Sequence, residues 1–224
     1  MTKSRKKNLK INAQNSGTLG RLILGLLVGT PEPIYLLGDK SLSNRDFKRV
    51  SDPLTEFGAK FNLKKNKNLP LKIHGSNKLN PINYFEKRGS AQCKSSIIFG
   101  GMRSKGTTII KAKKSRNHTE LMCKSLNLPL KVISQKNYDL IKIKKVKSIP
   151  SINYKIPSDI SSSSFFIALV ALSKDSQILI KNVNINSSRI GIIKILKKMG
   201  VKIIFQNKKF YKGEKIADIF IKSP

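Results

Sequence analysis

The sequence predicts an α/β (α+β) protein made of three copies of one βαβαββ unit. Three observations carry that prediction. Helix-like apolar blocks alternate with short β-branched runs, the pattern that lays helices over the faces of sheets. Three clusters of small polar residues each open an apolar stretch: NSGTLGRLILGLLVG from Asn15, GSAQCKSSIIFGGM from Gly89 and PSDISSSSFFIALVAL from Pro157. The segments after them recur in the same order, with a period of roughly 70 residues.

Each unit should begin with a strand: LKINA (9–13), INYFEKR (82–88) and SINYKIP (151–157). The first helix follows. In the second unit Ser90 fits an N-cap, with Ile97, Ile98 and Phe99 packing inward. A helix start bearing Ser, Gln and Lys is also an anion site, because unpaired N–H groups and the helix dipole favour negative charge. Next come the strands PIYLLG (33–38), GTTIIKA (106–112) and SQILIKNV (176–183). Each leads to a turn containing Ser and Arg, which places Arg45, Arg116 and Arg189 ahead of a second helix. Gly58 and Gly200 suit the C′ position after that helix, and Pro129 is a helix stopper in the matching place. Closing strand pairs are expected at 60–63 with 70–74, 130–133 with 139–144, and 201–205 with 216–221. If the units stack symmetrically, the helix N-termini converge, and Arg45, Lys94 and Arg116 would line a pocket for phosphorylated or carboxylated ligands.

Composition narrows the function classes. The chain has 224 residues with 45 Lys+Arg against 12 Asp+Glu, a net charge of +33. The lysines are spread almost evenly, Arg is scarce and Trp is absent. A nucleic-acid footprint would instead be clustered, rich in Arg and interleaved with aromatics. Nucleic acid is therefore not the expected partner, although the charge alone keeps a basic nucleic-acid-binding repeat protein as the alternative. Cys93 and Cys123 form no CxxC, and His74 and His118 have no metal-ligand spacing, so neither a zinc site nor a disulfide framework is indicated. The basic start MTKSRKKNLK and the apolar LILGLLVG (22–29) do not make a signal peptide: the run is short and no A-x-A site follows. No run is long enough to cross a membrane, and a cytoplasmic location with no membrane partner is expected.

The ordered motifs NSGTLGRLILGLL, GDKSLSNRDFKRVSDPLTEFGA, GSAQCKSSIIFGGM, SRNHTELM, PSDISSSSFFIALVAL and NVNINSSRIGIIKILKKMGV resemble the EPSP synthase family, from about Asn12 to the C-terminus. The resemblance implies inside-out α/β barrel lobes of the enolpyruvyl transferase type. Residues 1–156 would supply most of lobe one, in two repeats at about 9–77 and 81–147, and 157–224 one repeat of lobe two. It implies transfer of the enolpyruvyl group of phosphoenolpyruvate to the 5-hydroxyl of shikimate 3-phosphate, in the shikimate pathway, with no metal or organic cofactor. Gly17 and Thr18 match the loop beside phosphoenolpyruvate, and Gly17 a position where a larger side chain would intrude on glyphosate. Arg45 matches the arginine clamping phosphoenolpyruvate. Ser90, Ala91 and Gln92 match the segment holding the shikimate phosphate and ring hydroxyls, and Ser115 and Arg116 a second phosphate clamp. His118 belongs to the helix start of that motif. Asp159 matches a cleft-lining position and equally fits an ordinary N-cap.

Two departures are minor: Asn117 stands where the family usually has Asp, and Ser158 where it has Gly. The family also has an N-terminal Lys-Ser segment and C-terminal repeats with a catalytic Asp, a Lys-Glu pair and further arginines, none of which has a match here. The resemblance thus implies an internal fragment that lacks the acid/base residues. Such a chain is expected to be inactive alone, with a weakly stable third repeat and a complementing chain as its partner. The related UDP-N-acetylglucosamine enolpyruvyl transferases use a cysteine on a mobile loop, whereas Cys123 falls within a helix. A non-catalytic remnant of the fold is the remaining alternative.

Overall fold

The computed structural model describes residues 9–223, so the basic stretch before Leu9 lies outside it. The chain divides into two compact units, residues up to Ser115 with 129–148, and 116–128 with 149 onward.

The first unit contains two sheets of identical topology. Strands β1 (Leu9–Asn12), β2 (Ile34–Leu37), β3 (Lys60–Lys64) and β4 (Asn68–His74) form one, in the order β1-β2-β4-β3. Strands β5 (Asn83–Glu86), β6 (Thr107–Lys113), β7 (Leu130–Ser134) and β8 (Tyr138–Lys144) form the other, in the order β5-β6-β8-β7. In each, the first two strands are parallel and the others antiparallel. A parallel pair requires a crossover, and helices α1 (Gly17–Leu27) and α4 (Ala91–Gly101) provide it. The short α2 (Lys40–Ser43) and α3 (Lys48–Thr55) follow β2. Phe47, Val50, Leu54, Phe57, Leu71, Ile73, Ile97 and Ile98 are buried in its core.

Local chemistry explains the helix ends. Ser16 and Ser90 cap α1 and α4, accepting from Leu19 N and Cys93 N. Asp39 caps α2 by accepting from Leu42 N. Pro53 lies inside α3 and has no N–H to offer the Arg49 carbonyl one turn back. The Cys93 thiol fills that gap, donating to Arg49 O at 3.3 Å.

The two helices pack closely because small residues face each other. A Cβ on Gly25 would lie 2.1 Å from Ser96 O, so only glycine fits there. Ser96 Oγ donates to Arg21 O at 3.0 Å across the same seam.

The second unit holds α5 (His118–Ser125), α6 (Ile160–Leu172), α7 (Gly191–Lys198) and the antiparallel strands β9 (Gln177–Asn184), β10 (Lys202–Tyr211) and β11 (Glu214–Lys222), ordered β10-β11-β9. Its core is Ile160, Ile167, Val170, Val183, Ile193, Val201, Ile203, Ile219 and Ile221. Phe165, Phe166, Leu169 and Leu172 of α6 stay exposed.

The strand expected over 151–157 does not form. Its place is taken by a single parallel bridge, Ser158 with Val183. Asn182 has φ +52°, which bends β9 where a longer parallel partner would continue. Gly58 and Gly200 have φ of +105° and +91°, as expected of C′ residues. In the second repeat Asn127, at φ +52°, makes the left-handed turn just before Pro129. Among the described residues no helix is long and apolar enough to cross a membrane.

Candidate functional site

In the first two repeats the polar clusters follow the C-terminal ends of neighbouring parallel strands. β1 and β2 run side by side to Asn12 and Leu37, and β5 and β6 to Glu86 and Ala112. The loops and first helical turns after them carry Gly17, Thr18 and Arg45 in one case, and Ser90, Ala91, Gln92 and Ser115 in the other. Loops at this end of a parallel pair are where open α/β sheets bind ligands.

In the first unit the close seam of α1 against α4 brings the two helix N-termini together. Gln92 joins them: its Nε2 donates to Thr18 Oγ1 at 2.8 Å, and its Oε1 accepts from Arg21 Nη1 at 2.8 Å. The same Arg21 nitrogen lies 3.4 Å from Gly17 O. Arg45 reaches the same place, since a Cβ on Gly17 would lie 3.3 Å from Arg45 Nη1 and 2.8 Å from Arg21 Nη1. Gly17, Thr18, Arg45 and Gln92 therefore share one locus.

The electrostatics there are those of an anion site. Arg21 is only 5% exposed, its guanidinium stacks over Phe47 with 5.3 Å to the ring centroid, and its buried Nε has no partner. Burial, reinforced by repulsion from Arg49 and Arg45 and only partly offset by Asp46, pulls Arg21 down to about 10. A bound anion would supply the missing counter-charge.

Ser90 is the cap of α4, with its own N–H donating to Glu86 Oε2 at 2.9 Å. Glu86 is buried and also accepts from Arg88 N at 3.2 Å, which fixes the turn that presents Ala91 and Gln92. A Cβ on Gly89 would lie 3.5 Å from Lys114 O, so the Ser90 turn adjoins the end of β6. Ser115 sits at that end, with its Oγ buried and unpartnered. Lys94 departs from expectation: it has no exposed surface, so it cannot line an open pocket with Arg45 and Arg116.

In the second unit Arg116 is exposed directly before α5. Asp159 caps α6, its Oδ2 accepting from Ser162 N at 3.0 Å and Ser162 Oγ at 3.2 Å. Its Oδ1 pairs with Arg189 at 2.7 Å. Burial pushes this carboxyl upward, but the Ser162 bonds and Arg189 outweigh it and hold it below the usual range. Both oxygens are thus engaged at the helix start. In the first and third repeats the turn arginine meets the N-terminus of its own first helix, Arg45 at Gly17 and Arg189 at Asp159.

Sequence reasoning missed Arg21 and Glu86. Arg21 had a signal: it stands one helical turn after Gly17, on the same face. Glu86 had none, since an acidic residue ending a strand resembles any solvent-facing one.

The family model described as EPSP synthase (3-phosphoshikimate 1-carboxyvinyltransferase) matches residues 2–221. Among curated relatives, the 3-phosphoshikimate 1-carboxyvinyltransferase of Caldicellulosiruptor bescii is 41% identical over 215 residues, covering 95% of this chain and 49% of that protein. That of Hydrogenovibrio crunogenus is 37% identical over 224 residues, covering 98% and 50%. A solved EPSP synthase structure from Acinetobacter baumannii superposes with a TM-score of 0.81 at 33% identity, covering 96% of this chain and 48% of that one. The chain spans about half the length of the relatives it matches.

Proposed function

The chain belongs to the EPSP synthase family, and from that premise we propose that it carries part of the site at which the enolpyruvyl group of phosphoenolpyruvate passes to the 5-hydroxyl of shikimate 3-phosphate, with release of phosphate. The observation that carries this reading is the Thr18–Gln92–Arg21 network at the adjoining N-termini of α1 and α4, with Arg45 beside it.

In this reading the chain's residues bind and orient. Arg45 clamps phosphoenolpyruvate against the Gly17–Thr18 backbone. Ser90, Ala91 and Gln92 hold the shikimate phosphate and ring hydroxyls at the start of α4, so the helix cap and the anion site are one feature. Ser115 and Arg116 clamp the phosphate from the end of β6 and the start of α5. Asp159 contributes by ordering the start of α6. Cations fixed before the substrate arrives cost no reorganisation during reaction, and their effect grows as water leaves. Gln92 bonds both α1 and Arg21, so it would register the two substrates relative to each other. The proton transfers are assigned to residues outside this sequence. Residues 1–156 would belong to one lobe and 157–224 to the other.

Titration calorimetry of the chain with shikimate 3-phosphate tests the reading. Saturable binding is expected, weakened about tenfold or more by Arg116→Ala or Gln92→Ala, in line with charged hydrogen bonds. A cooperatively folded chain that takes up no shikimate 3-phosphate would refute it.

A further inference from the structure

α1, α2, α4 and α6 each start with a side-chain cap, from Ser16, Asp39, Ser90 and Asp159. α3 and α7 do not, having Phe47 and Ile190 at the N-cap, which offer no side-chain acceptor. α5 does not either. Asn117 occupies its N-cap position, a residue type well suited to capping, yet makes no cap hydrogen bond. Its Oδ1 instead accepts from Asn186 Nδ2 at 2.9 Å. The next residue, His118, places Nδ1 2.5 Å from Glu214 Oε1. Asn186 Nδ2 closes the circuit at 3.2 Å from Glu214 Oε2.

The two remote members are buried and rigid. Asn186 is 5% exposed and Glu214 6%. Asn186 Oδ1 accepts from Ser188 N at 2.9 Å and Ser188 Oγ at 2.6 Å, which fixes the loop after β9. Glu214 opens β11 directly after Gly213, where φ is +88° and a Cβ would lie 2.8 Å from Leu121 O. The hairpin tip thus lies against the backbone of α5 with no room for a side chain. Burying a carboxylate here has a desolvation cost, and a helix start with Asn at its N-cap position does not need it: a local cap would serve, as Ser16, Ser90 and Asp159 do at α1, α4 and α6.

We propose that Glu214 and Asn186 are positioning residues which, through His118 and Asn117, fix the backbone directly after Arg116 and so aim its exposed guanidinium at a bound phosphate. This rests on the assignment of Arg116 as a phosphate clamp. The tertiary link replaces the cap because it sets where the helix start sits, whereas a cap only satisfies its N–H groups.

The test is a double-mutant cycle between Glu214→Gln and Arg116→Ala in the full chain, read by calorimetric titration with shikimate 3-phosphate and by thermal melting. Gln keeps the shape of Glu but removes the charge and leaves one acceptor oxygen in place of two, so it cannot accept from both an Nδ1–H of His118 and the Asn186 amide. Glu214→Gln should weaken binding about tenfold when Arg116 is present and less than about twofold when it is absent, the signature of coupled residues. Equal losses in both backgrounds, or no loss with Glu214→Gln, overturn the proposal while leaving the clamp intact. If Arg116→Ala alone leaves the affinity unchanged, or nothing binds, the clamp assignment itself fails and the proposal falls with it.

Discussion

Gly25→Ala is the sharpest probe of how the first unit assembles its site. The new methyl would stand 2.1 Å from Ser96 O, where a carbon contact needs about 3.5 Å. The obstacle is helix backbone, so no side chain can swing aside and α1 must part from α4. Overpacking of this kind costs about 1–3 kcal/mol or more. The Ser96–Arg21 hydrogen bond across the seam, worth about 1 kcal/mol, goes with it. Against this, alanine gains about 1 kcal/mol of helix propensity over glycine. The last two roughly cancel, so the balance is a loss of about 1–3 kcal/mol. For a unit of this size the melting temperature should fall by about 3–12 °C, followed by circular dichroism at the helix band. Gly191→Ala is the control: nothing lies within 4 Å of its Cβ position, so only the propensity gain remains and stability should hold or rise. A Gly25→Ala chain melting at or above the original would refute the packing that places Gln92 beside Thr18.

Further outcomes follow from burial and charge. On α6, Ile167 has no exposed surface while Phe165 is 78% exposed, so in denaturant titrations of the chain Ile167→Ala should cost about 2–4 kcal/mol and Phe165→Ser within about 0.5 kcal/mol. Burial pushes the Glu214 carboxyl up, but hydrogen bonds from His118 and Asn186 outweigh it and hold it below its ordinary 4.5. Its stabilisation is therefore complete above pH 4.5 and lost as the pH falls through the lower folded value, because the unfolded chain binds the extra proton first. Melting curves measured below pH 5 should accordingly lose stability less steeply in Glu214→Gln than in the original. Burial raises the Cys93 and Cys123 thiols to about 12 and about 11, so a thiol reagent at pH 8 should label the native chain slowly and the unfolded chain at once; rapid native labelling would contradict the burial.

What the sequence determined by itself is local and periodic. Apolar spacing placed the helices and most strands, and the recurrence of that pattern revealed the repeated unit. Ser90 and Asp159 were legible as caps, and Gly58 and Gly200 as C′ residues, because each such role is decided within about four residues of chain. The tertiary structure decided everything that needs a partner far along the chain. The segment 151–157 has strand composition, yet a strand exists only with a neighbour, and the kink at Asn182 leaves room for one bridge. Lys94 fits an exposed anion site by spacing, but helix packing removes it from solvent. Arg21 gained its place only when α1 closed on α4 and brought Gln92, 71 residues away, to 2.8 Å. Asn117 fits a cap, and the fold uses it to reach Asn186 instead. Short-range periodicity sets which residues form an element, whereas side-chain partners across dozens of residues depend on how elements pack, and that information is spread over the whole chain.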